Sequence, residues 1–150
     1  MKKNNKILQI YASSDFIFLQ RLGKTKTGLS VNSGDVKKIE LNLSNIELGL
    51  MVYNMLMMPE ITINHPTSHQ EWRLICEPIL TEVGVKKWKS LEDNFKNIHC
   101  QLDSQSLLTL TQIKFSGGQI IGKGKSFIFR IEEYYKIGET IKNIVKEEEL

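Results

Sequence analysis

Short apolar runs separated by polar clusters fill the first forty residues, which is typical of β-strands. Lys6–Ala12 and Phe16–Arg21 are rich in β-branched and aromatic residues, and the polar cluster 13–15 separates them. They are predicted to be two strands joined by a turn. Residues 22–35 contain three glycines and no apolar period, so a loop is expected there. Residues 36–43 then alternate apolar and polar positions, which predicts a half-buried strand.

A capped, Met-rich apolar helix is predicted over 44–58. Ser44 followed by Glu47 has the spacing of a capping box, in which the two residues satisfy free backbone N–H groups at a helix start. Pro59 ends the segment. Apolar residues cover almost every face between these signals, so the helix is buried on several sides or presents a face to a partner. Burial is the favoured interpretation, and an adaptable methionine surface is the alternative.

A second helix is predicted from Thr67 or Ser68, the alternative N-caps, to Gly84. Pro78 lies within its apolar period, so a kink or break is expected near Glu77. The following residues, 85–96, have no clear period, although Ser90 is a candidate cap for a short helix through Asp93.

Strands return in the last third of the chain. Residues 98–102 and 107–115 are predicted strands, and Gly117-Gly118 is a predicted hairpin turn. Two further strands, 119–121 and 126–131, are expected around a turn at 122–125. A terminal helix is predicted over 132–149, where Gly138 lowers helix propensity. Its expected apolar stripe consists of Tyr135, Ile141, Ile144 and Val145.

This order of elements favours the α+β class: a mainly antiparallel sheet with two central helices and a C-terminal helix packed on it. The 150 residues are predicted to form a single domain, residues 1–150. A hydrophobic fraction of 41% and a charged fraction of 25% are ordinary for a globular protein. The run 7–12 is too short for an export signal, and no apolar segment reaches membrane-spanning length. We therefore expect a cytoplasmic protein.

Residue types that carry catalysis occur without a catalytic pattern. His65 and His69 lack a nearby third ligand, so no metal site is expected. Cys76 and Cys100 lie in apolar settings, and a hydrolase that uses either of them with one of the histidines, His65, His69 or His99, is the least favoured hypothesis. A disulfide between the two cysteines stays open. The glycines at 118–124 precede a strand instead of a helix, so hairpin turns explain them better than a phosphate loop does. We expect no enzyme activity and no cofactor.

The net charge is +3, and the charges are unevenly distributed: the chain begins with a basic segment and ends with an acidic one. A small nucleic-acid-binding protein is the runner-up interpretation, because basic residues occur beside aromatic ones. Its phosphate-binding residues would be Lys24, Lys26, Lys86, Lys87, Lys89, Lys123 and Lys125.

Four short segments together resemble the immunity proteins of bacterial contact-dependent growth inhibition, the CdiI family. They are KTGLS at 26–30, LS…ELG at 43–49, GVKKWKSL at 84–91 and the late Gly-Gly pair. The chain departs from the family after the Met-rich helix, where Met58-Pro59 stands in place of the expected Ser-Arg-like pair.

The resemblance implies a cytoplasmic antidote that binds a cognate toxin domain, often a nuclease, and covers its active site. Such a protein needs no catalytic residue, no membrane and no direct contact with nucleic acid, and its oligomeric state stays open. Nuclease toxins are commonly basic, so local acidic patches near tryptophans are the expected contacts. The predicted toxin-binding residues are Glu60, Glu71, Trp72, Trp88, Glu92 and Asp93.

Overall fold

A six-stranded antiparallel sheet forms the centre of the molecule in the computed structural model, which describes residues 5–32, 35–117 and 119–147. Its strands follow the order β5-β2-β1-β7-β8-β9 across the sheet. They are β1 (Lys6–Ala12), β2 (Phe16–Arg21), β5 (Val36–Glu40), β7 (Lys96–Leu102), β8 (Leu107–Ser116) and β9 (Gln119–Arg130). The described helices are α1 (Asn45–Leu56), α2 (His69–Val83), α3 (Trp88–Asn94) and α4 (Tyr134–Lys146). The predicted α+β class is confirmed.

One face of the sheet packs against α1 and α4 and forms the main core. Successive strand residues point to opposite faces, so Leu8 and Ile10 of β1 and Ile98 and Cys100 of β7 point to this side and are fully buried. The Met-rich helix α1 begins as predicted, because the Ser44 hydroxyl accepts a hydrogen bond from the Glu47 backbone N–H at 3.2 Å. The burial expected for the segment is thus met in part: Leu48, Val52, Met55 and Leu56 are buried in the core, whereas Ile46, Leu50, Met57 and Met58 are exposed.

Helices α1 and α4 cross at glycines. A Cβ atom on Gly49 would lie 2.1 Å from the Tyr134 carbonyl oxygen, and one on Gly138 would lie 2.0 Å from the Asn45 carbonyl oxygen. At both glycines the missing side chain allows the backbone of one helix to lie directly against the first residue of the other helix. Gly138, which the sequence identifies only as a weak point of the terminal helix, is a packing requirement.

The opposite face of the sheet is only partly covered. Helices α2 and α3 pack over Tyr11 and Phe18 through Ile79 and Leu91, and a second, smaller apolar cluster forms there. Helix α2 has the predicted limits: Ser68 caps its start, and Gly84 ends it with a φ of 86°. The helix continues through Pro78, so the predicted interruption is not a break.

Part of the predicted loop 22–35 folds into a second sheet. Its strands are β3 (Gly23–Thr25), β4 (Ser30–Val31) and β6 (Thr62–Ile63), in the order β4-β3-β6. The prediction of a loop over all of 22–35 was therefore wrong for five residues, because strands this short leave little period in the sequence. Residues 33–34 lie outside the described part of the chain.

The predicted turn at residues 122–125 was wrong. Strand β9 runs unbroken through this segment, because it pairs with β8 along its length, with irregular register between Thr111 and Ile113 and between Lys114 and Phe115. Gly117 occupies the real hairpin turn, with a φ of 58°, whereas Gly118 lies outside the described residues.

Three smaller predictions are corrected. Helix α3 begins at Trp88 instead of Ser90. The predicted strand 36–43 ends as a strand at Glu40. Tyr135 is 53% exposed and is not part of the α4 stripe, which Ile137 completes instead. The predicted helix end at Glu149 lies outside the described residues.

Candidate functional site

A row of polar side chains crosses the face of the sheet opposite α1 and α4. The strand registers place Gln20 opposite Gln9, Gln9 opposite His99, His99 opposite Thr111, and Thr111 opposite Ser126. Five neighbouring strands thus each contribute one polar residue on the same level. Polar residues along one face of an antiparallel sheet indicate that this part of the face is not packed in the main core.

A groove with a volume of about 440 Å³ lies over this row. Trp88 of α3 lines one part of it, and Phe115 and Ile120 of the β8–β9 hairpin line another. Ile120 is half exposed, and Ile128, which follows on the same face of β9, is 66% exposed. The complete lining consists of Gln9, Tyr11, Leu22, Asn32, Trp88, His99, Gln101, Thr111, Ile113, Phe115, Ile120 and Lys123.

Hydrogen bonds fix one end of the groove. The Asn32 side-chain amide lies 3.0 Å from both the Tyr11 hydroxyl and the Gln20 Oε1 atom. The Gln20 side-chain amide donates in turn to the Asn32 backbone carbonyl at 3.1 Å. Burial raises the pKa of Tyr11 far above its ordinary value, so the phenol keeps its proton. The Trp88 ring contacts the Tyr11 ring edge to face, with 6.5 Å between centroids. The Tyr11, Asn32 and Gln20 side chains at this end of the groove are therefore pre-organised.

The centre of the groove contains an uncharged histidine and one cation. His99 Nδ1 lies 3.4 Å from Gln9 Oε1. Burial lowers the pKa of His99, a hydrogen bond with Gln101 acts in the opposite sense, and the positive charge of Lys123 lowers the pKa further. The imidazole is consequently mostly neutral at pH 7. Lys123 is the charged residue among the described lining residues, and no acid is among them.

Trp88, one of the predicted toxin-binding residues, lines the groove, and two others lie beside it. Glu92 and Asp93 of α3 line an adjoining cavity of about 200 Å³, which shares Ile113 and Phe115 with the groove. Asp93 is exposed, but Glu92 is only 8% exposed. Together with Trp88, these residues form a continuous region at one side of the open face.

The other predicted toxin-binding residues line neither cavity. Glu60 lies 3.8 Å from both Arg21 and Lys24 and is engaged in these ion pairs. The Trp72 ring packs edge to face on His65.

Glu71 accepts hydrogen bonds from the Thr67 backbone N–H and hydroxyl, which lower the pKa of its carboxyl group. Its carboxylate therefore stabilises the N-terminal end of α2 and does not form an acidic patch with Trp88.

The lysines of the nucleic-acid hypothesis are distributed over three parts of the fold: β3 with its following turn, the segment that leads into α3 together with the first turn of α3, and β9. Lys123 lines the groove, whereas Lys24 is paired with Glu60. A continuous cationic track along these elements is not evident among the described residues.

Neither cysteine of the hydrolase hypothesis has the environment of a catalytic nucleophile. Cys100 is fully buried in the core and Cys76 is half-buried, both are free, and burial raises the pKa of each thiol. The reactive form of cysteine is the thiolate, which burial disfavours. Within the described residues no group of three histidine, cysteine or acidic side chains has the arrangement of a metal site.

The sequence gives a partial signal for the groove. Asn97, His99 and Gln101 alternate with buried apolar residues, and Gln9 lies between two of them, so a polar face of the sheet was detectable. The pairing of β1 with β7 was not detectable from the sequence, because these strands are about ninety residues apart in the chain.

The comparisons with known proteins concern the fold. The sequence matches no family model and no curated protein. The structure is similar to that of a protein of unknown function from Neisseria meningitidis, with a TM-score of 0.65, 13% sequence identity, and coverage of 95% of this chain and 94% of that chain.

It is also similar to a chain of the CdiA-CT/CdiI toxin and immunity complex from Yersinia pseudotuberculosis. The TM-score is 0.57 at 11% identity, over 91% of this chain and 97% of that chain. At these identities the likeness concerns the fold alone.

Among the described helices, none has both the length and the apolar character needed to cross a bilayer.

Proposed function

We propose that this protein is an immunity protein, which binds the toxic domain of a contact-dependent growth inhibition system and neutralises it. The observation that carries the proposal is the fold likeness over 91% of the chain to a chain of a toxin and immunity complex. The segments that resemble CdiI proteins agree with it. The toxin partner is proposed to be a nuclease domain, and the protein to act without catalysis of its own.

The open face of the sheet is the surface proposed to contact the toxin. It combines an aromatic anchor, Trp88, with exposed Ile120 and Ile128 and with polar groups at fixed positions. Tight protein interfaces place aromatic residues at their centre, surrounded by less critical contacts that exclude water. Glu92 and Asp93 adjoin this face, so two of the predicted acidic contacts are retained in the proposal.

Neutralisation is proposed to occur by steric occlusion. A specific interface buries roughly 800 Å² of surface on each partner. The proposed interface therefore extends beyond the groove onto its rims on α3 and the β8–β9 hairpin. A segment of the toxin that enters the groove would thus hold the remaining surface over the toxin's active site. Such an inhibitor needs shape and charge complementarity alone.

We expect the gene directly upstream to encode a large protein with a toxic C-terminal domain, and co-expression with that domain tests the proposal. We expect the two proteins to co-purify and the cells to survive, whereas cells that express the domain alone stop growing. Failure of both co-purification and rescue would contradict the proposal.

Two half-buried tryptophans provide a matched pair of variants for locating the interface. Trp88→Ala removes the groove anchor and should weaken toxin binding about tenfold or more, as expected for an interface hot spot. Trp72→Ala, outside the groove, should leave the affinity within about twofold of wild type. Thermal unfolding of both variants separates lost binding from lost folding. The opposite ranking would favour the sequence-based residues Glu71 and Trp72 as the contact surface.

A further inference from the structure

Gln9, at the floor of the groove, has a donor without an acceptor. The residue is 4% exposed, and its Nε2 atom has no hydrogen-bond partner among the residues that the structure describes. Its Oε1 atom faces the His99 ring. Buried polar groups are nearly always paired, because an unpaired one loses its water without compensation. An unpaired amide on the floor of an open groove indicates that a group from outside the protein accepts its hydrogen bond.

The neighbouring polar side chains are engaged with each other. The Thr111 and Ser126 hydroxyls lie 2.9 Å apart. Asn32 and Gln20 bond reciprocally. The acceptor for Gln9 therefore comes from outside the described residues: from solvent in the free protein, and from a bound molecule when the groove is occupied.

The charge of the groove selects the kind of acceptor. Lys123 contributes a positive charge close enough to His99 to lower its pKa, and no acidic residue is among the described lining residues. An anionic acceptor meets both requirements, because a carboxylate accepts several hydrogen bonds and offsets the lysine charge. The rings of Trp88 and Phe115 provide apolar walls for the carbon atoms of such a side chain.

We propose that the groove takes up an acidic side chain of the toxin domain, whose carboxylate accepts hydrogen bonds from Gln9 Nε2 and Lys123 Nζ. This inference rests on the proposed function and reverses the charge expected from the sequence alone. The antidote contributes the cation at the centre of the interface, and the toxin contributes the anion.

Calorimetric titration of the upstream toxin domain into three variants tests the inference. Lys123→Gln should weaken binding about tenfold and reduce its dependence on salt. Lys125→Gln, an exposed lysine on the same strand that does not line the groove, is the matched control and should change the affinity less than twofold. Gln9→Leu should also weaken binding about tenfold, and its thermal unfolding separates lost binding from the loss of the Gln9 contact with His99.

A double-mutant cycle identifies the partner group. Each aspartate and glutamate of the toxin domain is changed to its amide and paired with Lys123→Gln. One acidic residue should show a coupling of about tenfold, and the others none. Unchanged affinity of Lys123→Gln and Gln9→Leu, or coupling to no acidic residue, would overturn this inference while the complex itself still forms. Absence of any complex with the wild-type protein would overturn the proposed function, and this inference with it.

Discussion

Replacing the two crossing glycines by alanine should destabilise the protein although alanine is the better helix former. Alanine gains roughly 1 kcal/mol over glycine inside a helix. A Cβ on Gly138 would, however, lie 2.0 Å from the Asn45 carbonyl oxygen. Carbon and carbonyl oxygen atoms rest about 3.3 Å apart or more, so α1 and α4 would have to separate by over about 1 Å.

The magnitude follows from these opposing terms. Overpacking of a close contact costs typically 1–3 kcal/mol and sometimes more. Here the clashing atom is backbone and cannot rotate away, so the upper end applies. After the propensity gain is subtracted, Gly138→Ala should lower the free energy of unfolding by about 2 kcal/mol or more. For a domain of this size the midpoint temperature should fall by about 4–8 °C. Gly49→Ala faces the reciprocal contact with Tyr134, at 2.1 Å, and should behave alike.

Urea and thermal denaturation of both variants measure this effect, with Asn54→Ala as the control. Asn54 is exposed on α1, so alanine there should be neutral or stabilise by a few tenths of a kcal/mol. If Gly138→Ala proves as stable as wild type or more so, propensity outweighs packing at the crossing, and the packing interpretation of α1 and α4 is refuted.

Three further predictions concern charges and thiols. Lys96 donates from Nζ to the carbonyls of Ile144 and Val145 at 2.9 and 3.0 Å at the end of α4, so Lys96→Met should cost about 1–2 kcal/mol in urea denaturation. The lowered pKa of His99 means that the unfolded chain binds more protons below about pH 6.5. Stability should therefore fall as the pH drops through that range, less so in His99→Gln, as denaturation at pH 7.5 and 5 will show. The Cys100 thiol, fully buried and with a raised pKa, should react with a thiol reagent only as fast as the protein unfolds, and a rapid reaction in the native state would contradict its position in the core.

Local signals predicted much of the secondary structure. The apolar runs at Lys6–Ala12 and Phe16–Arg21 form strands with these same limits, because a polar turn separates them. The caps Ser44 and Ser68 begin α1 and α2 as expected, since capping depends on residues three positions apart.

Features that depend on distant parts of the chain were not predictable in the same way. Gly122 and Gly124 resemble a turn in the sequence, yet pairing with β8 keeps them in a strand. The requirement for Gly138 arises from a helix almost ninety residues earlier. The groove was missed for the same reason, since Gln9 and His99 are neighbours only through strand register. The acidic contacts were predicted from a family expectation, and the described groove carries the opposite charge.

The two faces of the sheet differ in how firmly their helices are held. Helices α1 and α4 are anchored on the large core, whereas α2 and α3 contribute one fully buried apolar side chain each, Ile79 and Leu91. Amide hydrogens of α2 and α3 should therefore exchange with solvent through local opening, long before those of the other pair. Trp88, on a wall of the groove, belongs to this more weakly held layer. Any molecule seated against that wall would slow its exchange, so isotope uptake can report occupancy of the groove before the occupant is identified.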